Sequence, residues 1–245
     1  MTTGRSVKDT VPPVGGKLFD AFESIRILNL PHRNDRRREM RGELAKFGLA
    51  SDKRVSFFAG STVGDRGPFA SVGEHGCYLS HLALLKEASA EGKRVLVLED
   101  DCDFLPEAAD YILPNDWDIF YGGYTAEDPD NLEASNIIGA HCMGYSPRAL
   151  KAFSAYLERL LQPGFEPDSL AVARGNYQPG LNPPFDGSIV WFRRAHPEMQ
   201  TVFAQIAIQR SSRSDIAAGN LLDRTVPAAA SAARRVKNWL RKRAQ

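Results

Sequence analysis

Cysteine is scarce. The chain holds three, Cys77, Cys102 and Cys142, widely spaced, odd in number and without a C-x-x-C pair. That pattern argues against a disulfide framework or a zinc site and fits a reducing compartment. Long apolar runs are missing too: none approaches the roughly 20 residues that cross a bilayer. Met1 to Gly16 lacks the hydrophobic centre of a signal peptide. The expectation is a chain that stays in the cytoplasm. No internal repeat is visible, and neither sign of charge dominates, with 31 Lys and Arg against 30 Asp and Glu. At 43% hydrophobic and 25% charged over 245 residues, the composition is that of a soluble protein able to bury one sizeable core.

What is present is an alternation of strand and helix signals. Ile25 to Leu30 reads as a strand, followed by a polar turn from Pro31 to Asp35 and a charged helix from Arg36 to Phe47 that stops at Gly48. Val55 to Ala59 is a second strand, and Gly60 to Gly76 a glycine-punctuated loop. Leu79, Leu82, Leu85 and Ala88 mark a helix over 77–90, with Gly92 as its stop. Asp116 to Tyr121 and Ile137 to Tyr145 read as further strands, and Ser146-Pro147 opens a helix to Leu161. Gln162 to Pro184 is a long loop rich in proline and glycine, of the kind that serves as a lid or binding loop. Phe185 then begins the last ordered stretch, and Ile206 to Asp215 is a final apolar-to-polar segment. Such alternation predicts an α/β fold, a mainly parallel sheet flanked by helices. Three regions are expected: a flexible leader over 1–22, one domain over 23–222 and a basic tail over 223–245.

The most informative run is Val95-Leu96-Val97-Leu98-Glu99-Asp100-Asp101-Cys102-Asp103. Four apolar residues form a buried strand and deliver four acids onto its carboxyl end, where open α/β sheets bind ligands. Carboxylates this close repel one another unless they are solvated, partly protonated or gathered around a cation. Oxygen ligands suit Mn²⁺ or Mg²⁺, ions that usually accompany a phosphate-bearing substrate. A solvated turn or helix cap is the plain alternative. Alternate residues of a strand share a face, which pairs Glu99 with Asp101 and Asp101 with Asp103. Asp101 is therefore the first metal-ligand candidate, with Glu99 or Asp103 as partner. Asp100 then turns toward the protein or a donor sugar. For Asp103 a helix cap before Pro106 is the alternative.

Three motifs occur in order: Ile27-Leu28-Asn29-Leu30 with Arg33, Asp35, Arg36 and Arg37; Gly76-Cys77-Tyr78-Leu79-Ser80-His81; and Leu98-Glu99-Asp100-Asp101. Trp117-Asp118-Ile119 and Ser214-Asp215-Ile216 add weaker agreement. Over residues 24–216 the chain resembles glycosyltransferase family 25, the bacterial lipopolysaccharide-modifying enzymes related to collagen galactosyltransferases. The resemblance implies a GT-A-like (Rossmann-like) fold, a nucleotide-sugar donor, usually a UDP-sugar, and inverting transfer of a hexose to a saccharide acceptor of lipopolysaccharide or another cell-surface glycan. A carboxylate-held cation at a strand end points the same way, because it can bridge a diphosphate and neutralise the charge that grows on the leaving nucleotide.

By the resemblance, Ser80 and His81 lie near the donor pocket and can hydrogen-bond sugar or phosphates; a satisfied structural histidine is the alternative. Arg33, Arg36, Arg37 and Arg38 follow the first strand, where a guanidinium can reach a diphosphate, although most of such a run is normally helix surface. Asn29 ends the strand and can read a nucleotide base or form a turn. His141 sits among apolar residues and reads as structural. Inverting transfer needs a general base, and Asp186, between Phe185 and Gly187, is the candidate. A turn aspartate is its alternative, and Asp168 and Glu166 are weaker rivals. Trp191 can stack on a sugar, but within Ile-Val-Trp-Phe it reads more naturally as core.

Near the end, Arg234, Arg235, Lys237, Arg241, Lys242 and Arg243 carry six positive charges, leaving 25 bases against 30 acids elsewhere. Val236, Trp239 and Leu240 fall at i, i+3 and i+4 among them, an interfacial-helix pattern suited to an anionic membrane surface at about 1 kcal/mol per charge. A disordered solubilising tail is the alternative. No basic surface with interleaved aromatics accompanies it, which argues against nucleic-acid binding. Two competing functions remain. The acidic strand resembles the opening of a response-regulator receiver, but the region from Ala140 to Ser146 contains no acid where that domain's phosphate acceptor belongs. A non-catalytic carbohydrate- or nucleotide-sugar-binding protein would use the same scaffold, and the intact acidic cluster argues against it.

Overall fold

The computed structural model describes residues 16–210 apart from Asn115. The anticipated basic tail over 223–245, and the chain from 211 onward, lie outside the described residues. The elements in chain order are β1 (Ser24–Asn29), α1 (Asn34–Lys46), β2 (Val55–Ala59), α2 (Val72–Glu91), β3 (Val95–Glu99), β4 (Cys102–Phe104), β5 (Ile119–Tyr121), β6 (Thr125–Ala126), β7 (Ile137–Ile138), β8 (Cys142–Tyr145), α3 (Pro147–Leu160), α4 (Ser169–Ala173), α5 (Phe185–Ala195), β9 (Thr201–Phe203) and β10 (Ala207–Gln209).

Six strands form the central sheet in the order β2-β1-β3-β8-β5-β9. β1 runs parallel to β2 and β3, and β5 parallel to β9, while β8 lies antiparallel between β3 and β5. The sheet is therefore mainly parallel and flanked by helices, as expected of the α/β class. Val95 and Val97 pack on one face with residues of α2, α3 and α5. Leu96 and Leu98 pack on the other with Met40 and Leu44 of α1. This double-sided burial is why β3 reads as a continuous apolar run rather than an alternating one. Burying each such side chain contributes about 1.5–3 kcal/mol.

Two local features aim the site. The Ser71 hydroxyl accepts from the Glu74 N–H at 3.1 Å and caps α2, and Gly92, at φ 65°, ends it. Gly123 follows β5 at a place where a Cβ would run into the His141 ring and the Ala207 carbonyl. Only glycine lets these chain segments meet there.

Several expectations change. The leader does not extend to residue 22: Leu18–Ala21 forms a 3-10 turn, and Leu18, Phe19 and Phe22 are buried in the core with Trp117 and Phe120. Apolar side chains within a Gly- and Pro-rich segment suffice to anchor it. α2 begins at Val72 inside the anticipated loop. The strand expected over 137–145 is split by Gly139, with β7 pairing β6 in a separate hairpin and β8 joining the main sheet. The stretch from Gln162 to Pro184 contains α4.

Candidate functional site

β1, β3 and β5 end on the same edge of the sheet, β8 starts there, and the first turn of α5 arrives beside them. The acids of the central run do not continue as one strand. β3 stops at Glu99, Asp100 and Asp101 make a turn, and β4 pairs with β10 in a different sheet. The shared strand face anticipated for Glu99, Asp101 and Asp103 is therefore not formed.

Each acid instead meets its own partners. Glu99 Oε1 lies 3.0 Å from His81 Nε2. Asp100 accepts from Asn29 Nδ2 at 2.7 Å and from Arg36 at 2.8 Å. Asp101 lies 3.1 Å from the same Arg36 guanidinium, and its backbone carbonyl accepts the Arg210 N–H at 2.7 Å. Asp103 is ion-paired with Arg210, which also reaches Glu39. It is not a helix cap, because Leu105 holds that position before Pro106. Asn29 and Arg36 thus meet at Asp100, fixing the turn from the β1 and α1 side. Arg33 precedes α1 and pairs with Asp35 at 2.8 Å. Arg37 lies over the Phe57 ring at 4.4 Å, and Arg38 is exposed.

On the other face of the sheet, Ser80 and His81 are buried in α2. The Ser80 hydroxyl donates to Gly76 O at 2.6 Å and accepts from the Ser61 N–H at 2.7 Å, bracing the preceding loop against the helix. The His81 ring stacks on Phe185 with centroids 3.8 Å apart and an 11° interplanar angle. Next to Phe185, Asp186 lies in the first turn of α5, not in a loop turn, and accepts the Gly139 N–H at 2.8 Å. Pro184 at the N-cap opens that helix.

The electrostatics are those of crowded, poorly solvated carboxyls. Burial, reinforced by Asp100 and opposed by Arg36, raises Glu99 to about 7. Burial and the charge of Glu99 raise Asp101 to about 7, against Arg36. Asp186 is raised to about 6 by burial and then by Glu99, while the Gly139 N–H and His81 oppose the shift. Burial lowers His81 to about 4, so it is neutral at physiological pH. The charged forms of these three carboxyls disfavour one another; a divalent ion would offset that repulsion, and Glu99 and Asp101 are the residues that could hold one. The Tyr121 and Tyr145 hydroxyls, both His141 ring nitrogens and His81 Nδ1 are buried with no hydrogen-bond partner among the described residues.

Other candidates lie elsewhere. Asp168 caps α4 and pairs with Arg194 at 2.9 Å, and Glu166 is exposed. Trp191 packs with Phe165 and Tyr177 in a small cluster, as a core residue. His141 is 4% exposed, lowered to about 4 by burial, and its carbonyl accepts the Glu99 N–H at 3.0 Å. Cys77 was missed: its thiol gathers with His81 and Glu99. The signal was its i, i+4 spacing from His81 on one helix face, which a search for C-x-x-C pairs passes over.

Among known proteins, the model of glycosyltransferase family 25 (LPS biosynthesis protein) matches residues 22–115. That span runs from β1 through β4 and takes in Asn29, Arg36, His81 and the acidic turn, stopping short of Asp186. No curated protein matches. One similar solved structure is that of a glycosyltransferase involved in the glycosylation of the major capsid of PBCV-1. It is 11% identical, with a TM-score of 0.45, over 74% of this chain and 82% of that chain. Over residues 22–115 the chain is thus similar to the glycosyltransferases of family 25.

Proposed function

We propose that the chain is a metal-dependent, inverting hexosyltransferase that takes a sugar from a nucleotide donor, a UDP-sugar, and passes it to a saccharide acceptor of lipopolysaccharide or another cell-surface glycan. The observation that carries this reading is the convergence of three carboxyls with raised pKa, Glu99, Asp101 and Asp186, at the carboxyl edge of the sheet.

Glu99 and Asp101 would hold Mn²⁺ or Mg²⁺, which when bound supplies charge neutralisation for the departing diphosphate. Arg36, Asn29 and Asp100 fix the turn that presents Asp101. His81 positions Glu99, and the Ser80 brace holds the chain that enters α2. Arg33, at the N-cap of α1, is the candidate for phosphate contact. Asp186 is the general base: with its carboxyl raised to about 6 it is mostly ionised at neutral pH yet basic enough to accept a proton from an acceptor hydroxyl. Attack by that hydroxyl on the anomeric carbon opposite the leaving diphosphate inverts the configuration. The six basic residues from Arg234 to Arg243, with Trp239 and Leu240 among them, support a site of action at the anionic cytoplasmic surface of the membrane.

The test is an incubation of the full chain with UDP-hexoses, Mn²⁺ and a panel of cell-envelope saccharides, followed by NMR of the product's anomeric proton. Transfer with inverted configuration that stops with chelator is expected. Retained configuration, or turnover indifferent to chelator, overturns the inverting, metal-dependent mechanism.

A further inference from the structure

Cys77 and His81 sit one helical turn apart on α2, and Glu99 ends the strand facing them. One sulfur, one ring nitrogen and one carboxylate oxygen from the three all lie within 4.8 Å of one another. We propose that Cys77, His81 and Glu99 form a site for a borderline-soft divalent cation, Zn²⁺, chemically distinct from the all-oxygen set that suits Mn²⁺ or Mg²⁺.

The donor chemistry selects the ion. Thiolate and imidazole together favour Zn²⁺ over Mn²⁺ or Mg²⁺, and three protein ligands leave a fourth position for water, the make-up of an open zinc site. In a tetrahedral site the ligand atoms stand roughly 3.4–3.6 Å apart, given metal–ligand bonds of about 2.0–2.3 Å. The present spacing, within 4.8 Å, means that the ligand atoms must draw together as the ion binds. The imidazole is already fixed: His81 is 1% exposed, stacks on Phe185, and keeps one ring nitrogen, Nδ1, without a hydrogen-bond partner. It faces Glu99 through its other nitrogen, Nε2, 3.0 Å from Oε1, so a cation held by both would take the place of that hydrogen bond. Cys77 is half-buried, which leaves the ion a way in. On binding, the thiol releases its proton to solvent and becomes the thiolate ligand.

Glu99 belongs to this site and to the proposed donor cation's site. Seated Zn²⁺ therefore takes Glu99 away from that cation and inhibits transfer. This consequence rests on the proposed function, whereas the site itself does not.

The experiment titrates the full chain with Co²⁺, read by the near-ultraviolet thiolate-to-cobalt charge-transfer band, and then displaces it with Zn²⁺. The expected result is a band present in the wild type and in Asp101→Asn, absent in Cys77→Ser and Cys77→Ala, with Zn²⁺ affinity at least about tenfold weaker in both cysteine variants. Circular dichroism establishes that the variants are folded. No band in the wild type, Zn²⁺ affinity unchanged by Cys77→Ser, or a band surviving in that variant through the fully buried Cys102 or Cys142 overturns the proposal. In the transferase assay with Mn²⁺, Zn²⁺ inhibits the wild type and spares Cys77→Ser. A Cys77-dependent band in a chain that turns over no UDP-sugar would uphold the site and remove the donor reading.

Discussion

His81 Nε2 meets Glu99 Oε1 at 3.0 Å, tying the middle of α2 to the last residue of β3. The contact is made inside the fold, with the His81 side chain 1% exposed and that of Glu99 21%. Replacing His81 by Ala leaves the carboxylate without that partner and opens space beside Phe185. Stability is expected to fall by about 2 kcal/mol. Urea unfolding measures it, and a change within 0.5 kcal/mol, roughly that of a neutral surface substitution, would contradict the structural role.

Asp100 is held by Asn29 and Arg36 at 2.7 and 2.8 Å, and neither ionic side chain of the Arg36 pair is more than 11% exposed. Removing one partner of a buried ion pair strands the other, at about 3–5 kcal/mol. Because Asp101 remains 3.1 Å from Arg36, Asp100→Ala should sit at the low end of that range. Loss of a cooperative transition or a clear fall in denaturation midpoint is the expected outcome; an unchanged midpoint would show that the pair carries no net stability.

The raised carboxyls make metal-free stability pH-dependent. Asp186 at about 6 and Glu99 and Asp101 at about 7 keep protons in the folded chain, which the unfolded chain releases near pH 4. Their contribution is therefore fully present below about pH 4 and is lost as pH rises toward about 7. Thermal melting in chelator should show the effect as a flatter profile in Asp101→Asn over that window, other groups being common to both proteins. Parallel profiles would remove Asp101 from the cluster's electrostatics.

Asp186→Asn retains an oxygen for the Gly139 N–H but cannot take a proton. Under the general-base assignment kcat drops by about 10²–10⁴-fold while donor binding holds. In the wild type kcat/KM should rise through about pH 6 to a plateau, and that limb should vanish in the variant. A variant with wild-type kcat would place the base elsewhere.

The legible parts of the fold were those with local signals. β3 announced itself because both faces are buried, and α1 because a polar turn and Gly48 bracket it. β4 was illegible, since three residues become a strand only by pairing with β10, about a hundred residues away. The start of α2 was hidden by Gly73 and Gly76, which read as loop, although Ser71 and Glu74 form the cap spacing that does begin it. Glycine near Asp186 misled in the same way, because the carboxylate stands in a helical first turn. At the site, the acidic residues, Asn29, Arg36 and His81 were visible as types, but which acid met which partner depended on the break after Glu99. Alternation along a strand cannot describe a turn.

The most direct measurement is calorimetry of UDP and UDP-hexoses with and without Mn²⁺, on the wild type and on Asp101→Asn. Metal-dependent binding to the wild type, lost in the variant while its fold persists, is the predicted result. A folded wild type that binds no UDP-sugar in the presence of Mn²⁺, or a variant that binds as well as the wild type, would contradict a nucleotide-sugar site at the acidic turn.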